Sequence, residues 1–368
     1  MSDSSTNPPW LEFYPAGVDP EHGTAFSSVT DAWDALLARR GESELIHYFD
    51  GCLTVTEVDV ASDALAWAFD DRGVQTGDRI GIYLQNVPQY LITLIGIWKA
   101  GAIAVPLNPM YRRGELRRLV DDCRPKGIIL AHSDVAETTD TLHGSSATWL
   151  IGTSDRDYQT RNDPRAAWAP PVEERIADDF GHLLAVHAEQ PYSAVPVASD
   201  SPALICYTSG TTGPSKGAIN THANVLHAAA NFGTWVGLEP NDVVLAIAPL
   251  FHITGITLNA MTALLNDCSL AMVGRFQADV VLDAIAEHGV TFTIGSITAF
   301  NSLMAPGAGL SLRLRHDQGA VLRWRSHPTG DAGGVPDTLR PVHPQRLGHD
   351  RDDWRRHRCA PRRTGAHR

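Results

Sequence analysis

Hydroxyl side chains, glycines and one cation are concentrated in a single stretch, Cys-Tyr-Thr-Ser-Gly-Thr-Thr-Gly-Pro-Ser-Lys-Gly at residues 206–217. The apolar residues 203–207 predict a short buried strand in front of it. The glycines permit backbone angles that other residues avoid, so several N–H groups can point into the loop. With four hydroxyls and an ammonium group, these N–H groups can cradle a polyphosphate. The predicted phosphate-binding residues are Thr208, Ser209, Gly210, Thr211, Thr212, Gly213 and Lys216.

Two other interpretations of this stretch are weaker. A flexible Ser/Gly linker would explain the composition, but a linker needs neither a preceding buried strand nor a terminal lysine. A P-loop requires glycine directly before the lysine and Ser or Thr directly after it. Here Ser215 precedes Lys216 and Gly217 follows it, so the chain does not fit a P-loop NTPase.

The stretch resembles, almost residue for residue, the signature loop of the adenylate-forming synthetases. That family includes acyl-CoA synthetases, adenylation domains of peptide synthetases and luciferases, and its loop holds the β- and γ-phosphates of ATP. The matched pattern, Tyr-Thr-Ser-Gly-Thr-Thr-Gly-Xaa-Xaa-Lys-Gly, is long and therefore specific. Residues 98–102 and 105–109 also resemble an early block of the family. We expect that block to pack and turn, and we assign it no catalytic role.

A second motif, Ala-Pro-Leu-Phe-His-Ile-Thr-Gly, occupies residues 248–255. A lone histidine in an apolar setting is usually a hydrogen-bonded core residue. In the resembled family, however, the Pro-Leu-Phe-His segment lines the acyl pocket, with the histidine near the reacting carboxylate. The resemblance therefore implies that His252 belongs to the acyl-substrate pocket, whereas Phe251 and Ile253 are expected only to pack.

The resemblance implies a two-step reaction. A substrate carboxylate attacks the α-phosphorus of ATP to give an acyl-adenylate and pyrophosphate, and the thiol of coenzyme A then attacks the acyl carbon and expels AMP. The implied ligands are ATP, Mg²⁺, coenzyme A and a small carboxylic acid, and the motifs are most like those of fatty-acid or medium-chain acyl-CoA synthetases. An aryl- or amino-acid adenylating enzyme is the alternative within the family. A pseudo-enzyme that binds nucleotide or acyl groups without chemistry is the alternative outside the enzyme class.

Strand and helix patterns alternate along the first 304 residues. They predict an α/β fold of mostly parallel sheets covered by helices, as in the N-terminal domain of the resembled family. We expect a hairpin over residues 44–55 that turns at Asp50 and Gly51, followed by a helix capped by Thr56 with Val60 on its apolar face. Residues 154–199 show no consistent periodicity and are predicted to be a surface excursion. Further strands are predicted at residues 79–84, 102–105, 127–131, 242–247, 268–273 and 290–294, and further helices at 88–100, 113–122, 224–235, 278–288 and 296–304.

Composition narrows the class of protein. With 368 residues, 43% of them hydrophobic, the chain can bury a sizeable core. Its five cysteines are scattered, which favours free thiols in a reducing cytoplasm over disulfides or a zinc site. No secretory signal is visible. The uncharged runs 80–98 and 243–266 are interrupted by polar residues and proline, so we expect buried core segments and no transmembrane helix.

The last residues differ sharply from the rest. The net charge is −12, yet residues 311–368 contain 13 Arg, no Lys and 6 Asp. A disordered tail or a basic arm that binds nucleic acid would explain the many arginines but not the lack of lysine. The absence of lysine favours GC-rich codons read out of frame, and we expect no nucleic-acid partner. With suitable codons shifted by one base, residues 320–326 read Leu-Tyr-Ser-Gly-Gly-Gly, and residues 346–357 read Ala-Trp-Gly-Met-Thr-Glu-Thr-Thr-Gly-Gly-Val in the same frame.

In the resembled family, a Ser-Gly-Gly-Ala segment and then an aromatic-Gly-Xaa-Thr-Glu motif should follow at this point. Both are missing after about Ala305, and the shifted readings restore them. The domains expected are therefore a loosely ordered lead-in at residues 1–25, a truncated AMP-binding N-terminal domain at 26–305 and a disordered, out-of-frame tail at 306–368. The family's Mg²⁺-holding Glu, its ribose-binding Asp and the small C-terminal domain with a catalytic Lys are all absent. We therefore assign no catalytic residue and no metal ligand, and we expect a poorly soluble chain with little or no ligase activity.

Overall fold

The computed structural model describes residues 11, 13–14, 23–166, 178–188, 190–208 and 215–304. The strands are β1 (Glu44–Tyr48), β2 (Gly51–Thr54), β3 (Arg79–Tyr83), β4 (Ile103–Pro106), β5 (Gly127–Ala131), β6 (Trp149–Thr153), β7 (Pro202–Thr208), β8 (Lys216–Thr221), β9 (Val243–Leu245), β10 (Ser269–Met272) and β11 (Phe292–Thr293). The helices are α1 (Val29–Arg40), α2 (Val55–Asp71), α3 (Pro88–Lys99), α4 (Arg113–Cys123), α5 (His132–Leu142), α6 (Phe180–Val186), α7 (His222–Val236), α8 (Thr262–Leu265), α9 (Ala278–His288) and α10 (Ile297–Met304). A 3₁₀ turn spans Pro164–Ala166, and a π-helix spans Gly255–Met261.

The strands form two sheets, in the orders β11-β9-β10-β1-β2 and β6-β5-β3-β4-β7-β8. Pairing is parallel except between β1 and β2 and between β7 and β8. Strand-to-helix alternation keeps connected strands parallel, because each crossover returns the chain to the same end of the sheet. The predicted fold class, an α/β structure with mostly parallel sheets flanked by helices, is confirmed.

Helix α3 is the centre of the core. Every residue from Pro88 to Lys99 is buried, which fits its apolar sequence. At its end, the Trp98 indole donates a hydrogen bond to the Ala203 carbonyl at 3.0 Å and so ties α3 to the start of β7. The chain then turns at Gly101, whose φ of +67° favours glycine.

The hairpin of β1 and β2 forms, but it turns at Phe49 and Asp50, and the predicted turn residue Gly51 is the first residue of β2, opposite Tyr48. The cap of α2 also lies two residues earlier than expected. The side chain of Thr54, not Thr56, accepts the Glu57 N–H, and the Glu57 carboxylate accepts the Thr54 N–H in return. The prediction for Val60 was also wrong, since 43% of this residue is exposed. Five residues at about 100° each separate it from Leu65, so the two side chains face different ways.

The segment predicted as a surface excursion is partly anchored in the core. Phe180 in α6 is buried, and Asp178 pairs with Arg72 of α2 at 2.8 Å. These two contacts involve single residues, so no periodic sequence pattern predicts them. Helix α5 was not predicted for a similar reason, because only Thr138 and Leu142 of its residues are buried. Within the described part of the chain, no helix combines the length and apolar character that crossing a bilayer requires.

Candidate functional site

The structure places the two flanks of the predicted phosphate loop next to each other. Thr208 is the last residue of β7 and Lys216 the first of β8, and they are Cα partners in the antiparallel pair. Both residues are exposed. The connecting residues 209–214 lie outside the described residues, as do the predictions for Ser209, Gly210, Thr211, Thr212 and Gly213. Thr208 and Lys216 thus form the described tip of the β7–β8 hairpin, a pairing that the sequence patterns did not reveal.

The hairpin tip lies at the edge of the sheet where ligands usually bind. β7 runs parallel to β4, with Ala104 opposite Leu204. The carboxyl ends of parallel strands share one edge of a sheet, and open α/β sheets bind ligands outside that edge. Because Thr208 ends β7 and Lys216 is its partner on β8, the Thr208 hydroxyl and the Lys216 ammonium can meet an anion there.

Helix α4 supports the end of β7. The Tyr207 hydroxyl donates a hydrogen bond to the Asp122 carboxylate, and burial together with this anionic partner raises the pKa of Tyr207. Burial also raises the pKa of Cys206 to about 12 and that of Cys123 to about 11. Both thiols therefore stay protonated at neutral pH and are poor nucleophiles.

The other two lysines of the chain are already engaged. Lys99 is buried and its ammonium lies 2.5 Å from a carboxylate oxygen of Asp59 and 2.5 Å from one of Asp63. Lys126 pairs with Asp78 at 2.8 Å. Lys216 is therefore the lysine best placed to neutralise an external anion, and Lys99 has the packing role expected of the early block.

His252 is exposed and its ring orientation is defined by Thr254. The Thr254 N–H donates to Nδ1 at 3.2 Å, and the Thr254 hydroxyl lies 3.1 Å from the same nitrogen. A nitrogen that accepts a backbone N–H carries no proton of its own. In the neutral ring the proton is therefore on Nε2, and this N–H can be donated to a substrate carboxylate or its oxygen.

The segment that carries His252 is held by a residue that sequence reasoning passed over. The side-chain amide of Asn86, which follows β3, donates to the Ala246 carbonyl at 2.7 Å and to the Ala248 carbonyl at 3.1 Å. Its Oδ1 accepts the Leu250 N–H at 2.7 Å. Asn86 thereby connects the carboxyl end of β3 in the six-stranded sheet to the segment that follows β9 of the five-stranded sheet. The only sequence signal was a polar residue within an apolar run.

A tight backbone contact follows His252. A Cβ on Gly255 would lie 2.1 Å from the Pro249 carbonyl oxygen, so only glycine fits. The π-helix Gly255–Met261 starts here, and such helices are frequent at functional sites. Among the described residues, the hydrogen bonds of the His252 ring go to Thr254, and none joins it to Thr208 or Lys216.

The residues present fit the phosphate end of ATP and give no ligand set for Mg²⁺. An exposed ammonium and an exposed hydroxyl at a hairpin tip suit an anionic group. Asp122 is the carboxylate that packs against β7, and it accepts the Tyr207 hydroxyl. We therefore assign no Mg²⁺ ligand to the described part of the chain.

Comparison with known proteins gives a consistent family. The profile described as AMP-binding enzyme matches residues 33–338. The long-chain-fatty-acid–CoA ligase of Salmonella typhimurium is 27% identical over 318 residues, which cover 80% of this chain and 55% of that protein. The sulfoacetate–CoA ligase of Cupriavidus necator is 31% identical over 237 residues, which cover 63% of this chain and 42% of that protein.

Solved structures share the fold. An anthranilate CoA ligase in complex with anthranoyl-AMP superposes with a TM-score of 0.68 at 20% identity, covering 81% of this chain and 54% of that one. A long-chain-fatty-acid–CoA ligase from Archaeoglobus fulgidus gives a TM-score of 0.68 at 21% identity, with 79% and 55% covered. The chain spans about half the length of the curated relatives it matches. The profile match extends past Ala305, so the residue at which the chain leaves the family pattern stays a prediction.

Proposed function

Because the chain belongs to the AMP-binding enzyme family, we propose that it derives from an AMP-forming acid–CoA ligase whose ATP-phosphate site is the tip of the β7–β8 hairpin. The observation that carries this proposal is the pairing of Thr208 with Lys216 at the carboxyl edge of the parallel sheet. ATP and coenzyme A are then co-substrates; Mg²⁺ is expected from the family resemblance, and no step is assigned to it. The reaction belongs in the cytoplasm, as the scattered free cysteines favour.

The acid proposed is a fatty acid. Support comes from the long-chain-fatty-acid–CoA ligases among the relatives and from the Pro-Leu-Phe-His segment. A sulfoacetate–CoA ligase among the relatives keeps other acids open as test substrates. A screen of fatty, aryl and amino acids for CoA-ester formation, with an in-frame version of the protein, tests this choice. Selective use of aryl or amino acids would contradict it.

The residues of the described chain have defined tasks in this proposal. Lys216 and the Thr208 hydroxyl neutralise and orient the departing pyrophosphate, which lowers the barrier because the donors are positioned before charge develops. The Nε2–H of His252 orients the substrate carboxylate at the other end. Asn86 acts through the backbone of residues 246–250 and is a positioning residue.

We further propose that this chain binds ATP without making acyl-adenylate. Residues 26–305 would form the N-terminal domain and residues 306–368 would be an out-of-frame tail. Most of the predicted lead-in at 1–25 and all of the predicted tail lie outside the described residues. The support is the composition of the tail and the two family motifs that a one-base shift restores. The nucleotide sequence around codons 300–315, read in three frames, tests the proposal. Absence of an open alternative frame with those motifs would refute it.

Binding and chemistry can be measured separately. We expect ATP to bind the native chain in calorimetry, and Lys216→Ala to weaken binding about 10- to 100-fold, because a hydrogen bond to a charged group contributes about 1.5–3 kcal/mol. Lys126→Ala is the matched control and should leave ATP affinity unchanged. If the native chain and Lys216→Ala bound ATP with equal affinity, the hairpin tip would not be part of the ATP site. Robust pyrophosphate–ATP exchange by the native chain would instead refute the loss of chemistry.

A further inference from the structure

Three side chains of metal-ligating type meet on the β1–β2 hairpin, away from the residues assigned to ATP and acid. They are Glu44, His47 and Cys52, and one ligand atom of each lies within 4.8 Å of the other two. Within the described ranges, they are the group of His, Cys, Asp and Glu side chains that is close enough to hold one ion. The scattered cysteines gave no hint of this, because the ligands come together across a hairpin.

The backbone explains how three residues share one face. His47 and Cys52 are directly opposite each other in the antiparallel pair. Glu44 lies three residues before His47 and would point to the other face of a regular strand. The pairing register shifts between Glu44 and Ile46, which leaves one extra residue in β1 as a β-bulge. Glu44 is thereby returned to the face that carries His47 and Cys52.

The distances are near those that a small cation needs. Bonds of about 2.0 Å to nitrogen or oxygen and about 2.3 Å to sulfur place tetrahedral ligand atoms about 3.3–3.8 Å apart. The Nε2 of His47 lies 3.8 Å from Oε2 of Glu44. His288 stacks on His47, with ring centroids 5.3 Å apart and an interplanar angle of 17°. This stacking restrains the plane of the imidazole, and the exposed Glu44 leaves a path from solvent.

The donor set selects the class of ion. A thiolate, an imidazole and a carboxylate suit Zn²⁺ and similar transition metals, whereas Mg²⁺ and Ca²⁺ favour oxygen ligands only. We propose that Glu44, His47 and Cys52 bind one divalent transition-metal ion of the Zn²⁺ type, with the fourth position open to water. Binding releases the thiol proton of Cys52 to solvent. The bound ion connects β1 to β2 and thereby stabilises the edge of the five-stranded sheet.

Cobalt titration of the full, chelator-treated chain tests the site. Thiolate ligation of Co²⁺ produces a sulfur-to-metal charge-transfer absorption, and we expect it to saturate at one equivalent. Cys52→Ser should abolish this band, and His47→Gln and Glu44→Gln should each weaken binding about tenfold or more, as loss of one of three ligands implies. Zn²⁺ should displace Co²⁺ and raise the Tm of the native chain.

Controls separate this site from other metal-binding side chains. Cys359→Ser should keep the band and its affinity, because Cys359 is not one of the three proposed ligands. Circular dichroism should show that Cys52→Ser and Cys52→Ala fold like the native chain. A band that survives in folded Cys52→Ser, or weak binding that is equal in all variants, would overturn the proposal and leave Glu44 and His47 as an ordinary ion pair. ATP binding by these variants is expected to be unchanged, so the result is independent of the ligase proposal.

Discussion

The side-chain amide of Asn86 makes three hydrogen bonds to backbone groups more than 150 positions along the chain, and it is buried. A primary amide can donate twice and accept, so one side chain satisfies two carbonyls and one N–H of the segment that leaves β9. The orientation of the segment leading to His252 depends on these bonds. Lys99 and His222 are similar cases of buried polar residues with partners far away in sequence.

Asn86→Ala should destabilise the protein by about 2–4 kcal/mol, because it leaves buried backbone groups without hydrogen bonds. Urea denaturation followed by circular dichroism measures the change. Asn220→Ala is the matched control, since the half-buried Asn220 amide donates to the nearby Ala218 carbonyl in a solvent-exposed hydrogen bond. If Asn86→Ala lost no more stability than Asn220→Ala, the hydrogen bonds of Asn86 would not be what holds the segment leading to His252.

His222 should make stability depend on pH. Burial lowers its pKa from 6.5 to about 4, against the opposing effect of Asp31, while Nδ1 accepts the Val29 N–H at 3.3 Å. Between about pH 4 and 6.5 the unfolded chain binds a proton that the folded chain does not, so stability falls as pH falls through this window, by up to about 3 kcal/mol.

His222→Asn tests this assignment because the Asn carbonyl can still accept the Val29 N–H but does not titrate. Its stability should change less between pH 6.5 and 4 than that of the native chain, as measured by urea midpoints at each pH. The exposed His182, changed to Asn, should keep the native pH dependence. Parallel curves for the native chain and His222→Asn would contradict the assignment.

At the scale of elements, the turn from Pro249 into the π-helix is the most constrained connection near the site. Gly255 approaches the Pro249 carbonyl so closely that an added methyl group would overlap it. His252 lies between Pro249 and Gly255 in the sequence, and its ring is oriented by the hydrogen bond from Thr254. Backbone packing, and not the apolar pattern of the segment, therefore defines where the histidine points.

Gly255→Ala should destabilise the protein by about 1–3 kcal/mol, because the Pro249 backbone must move to admit the methyl group. Gly114→Ala in α4 is the control, since a Cβ there meets nothing within 4 Å. That control should be neutral or stabilise by up to about 1 kcal/mol through helix propensity. Thermal denaturation of both variants distinguishes them, and equal shifts in Tm would contradict a steric role for Gly255.

At the scale of the whole molecule, large apolar side chains are exposed at several places, among them a sheet edge and helix α10. Edge strand β8 exposes 62% of Ile219, and α10 exposes 77% of Ile297. An edge strand with an exposed apolar side chain can pair with another chain. These features support the expectation that the isolated chain associates with itself.

Ile219→Lys should weaken this self-association about tenfold, because a charge on an edge strand disfavours pairing with a second strand. Sedimentation velocity measures the effect. Val60→Lys is the control, as Val60 is exposed on helix α2 and not on a sheet edge. A native chain that sediments as a monomer and melts in one sharp transition would contradict the prediction.

Local patterns were sufficient for much of the fold. Strand β5 and helix α9 have the predicted bounds, because an apolar run and a 3.6-residue repeat are each contained in one short segment. Strand β8 was not predicted, since four of its six residues are exposed and show no alternation. The cap at Thr54 was misplaced by two residues, because Thr54 and Thr56 both suit a cap and only backbone geometry distinguishes them.

The sequence by itself determined the family and predicted the phosphate end of the candidate site, because a long contiguous motif of glycines, hydroxyls and one lysine carries that chemistry locally. It also predicted the α/β fold class and many, though not all, of its strands and helices. Only the tertiary structure decided that Thr208 and Lys216 face each other across a hairpin, that Asn86 holds the segment leading to His252, and that a β-bulge brings Glu44 beside His47 and Cys52. Those arrangements depend on strand register and on contacts between distant residues, neither of which is present in any short stretch of sequence.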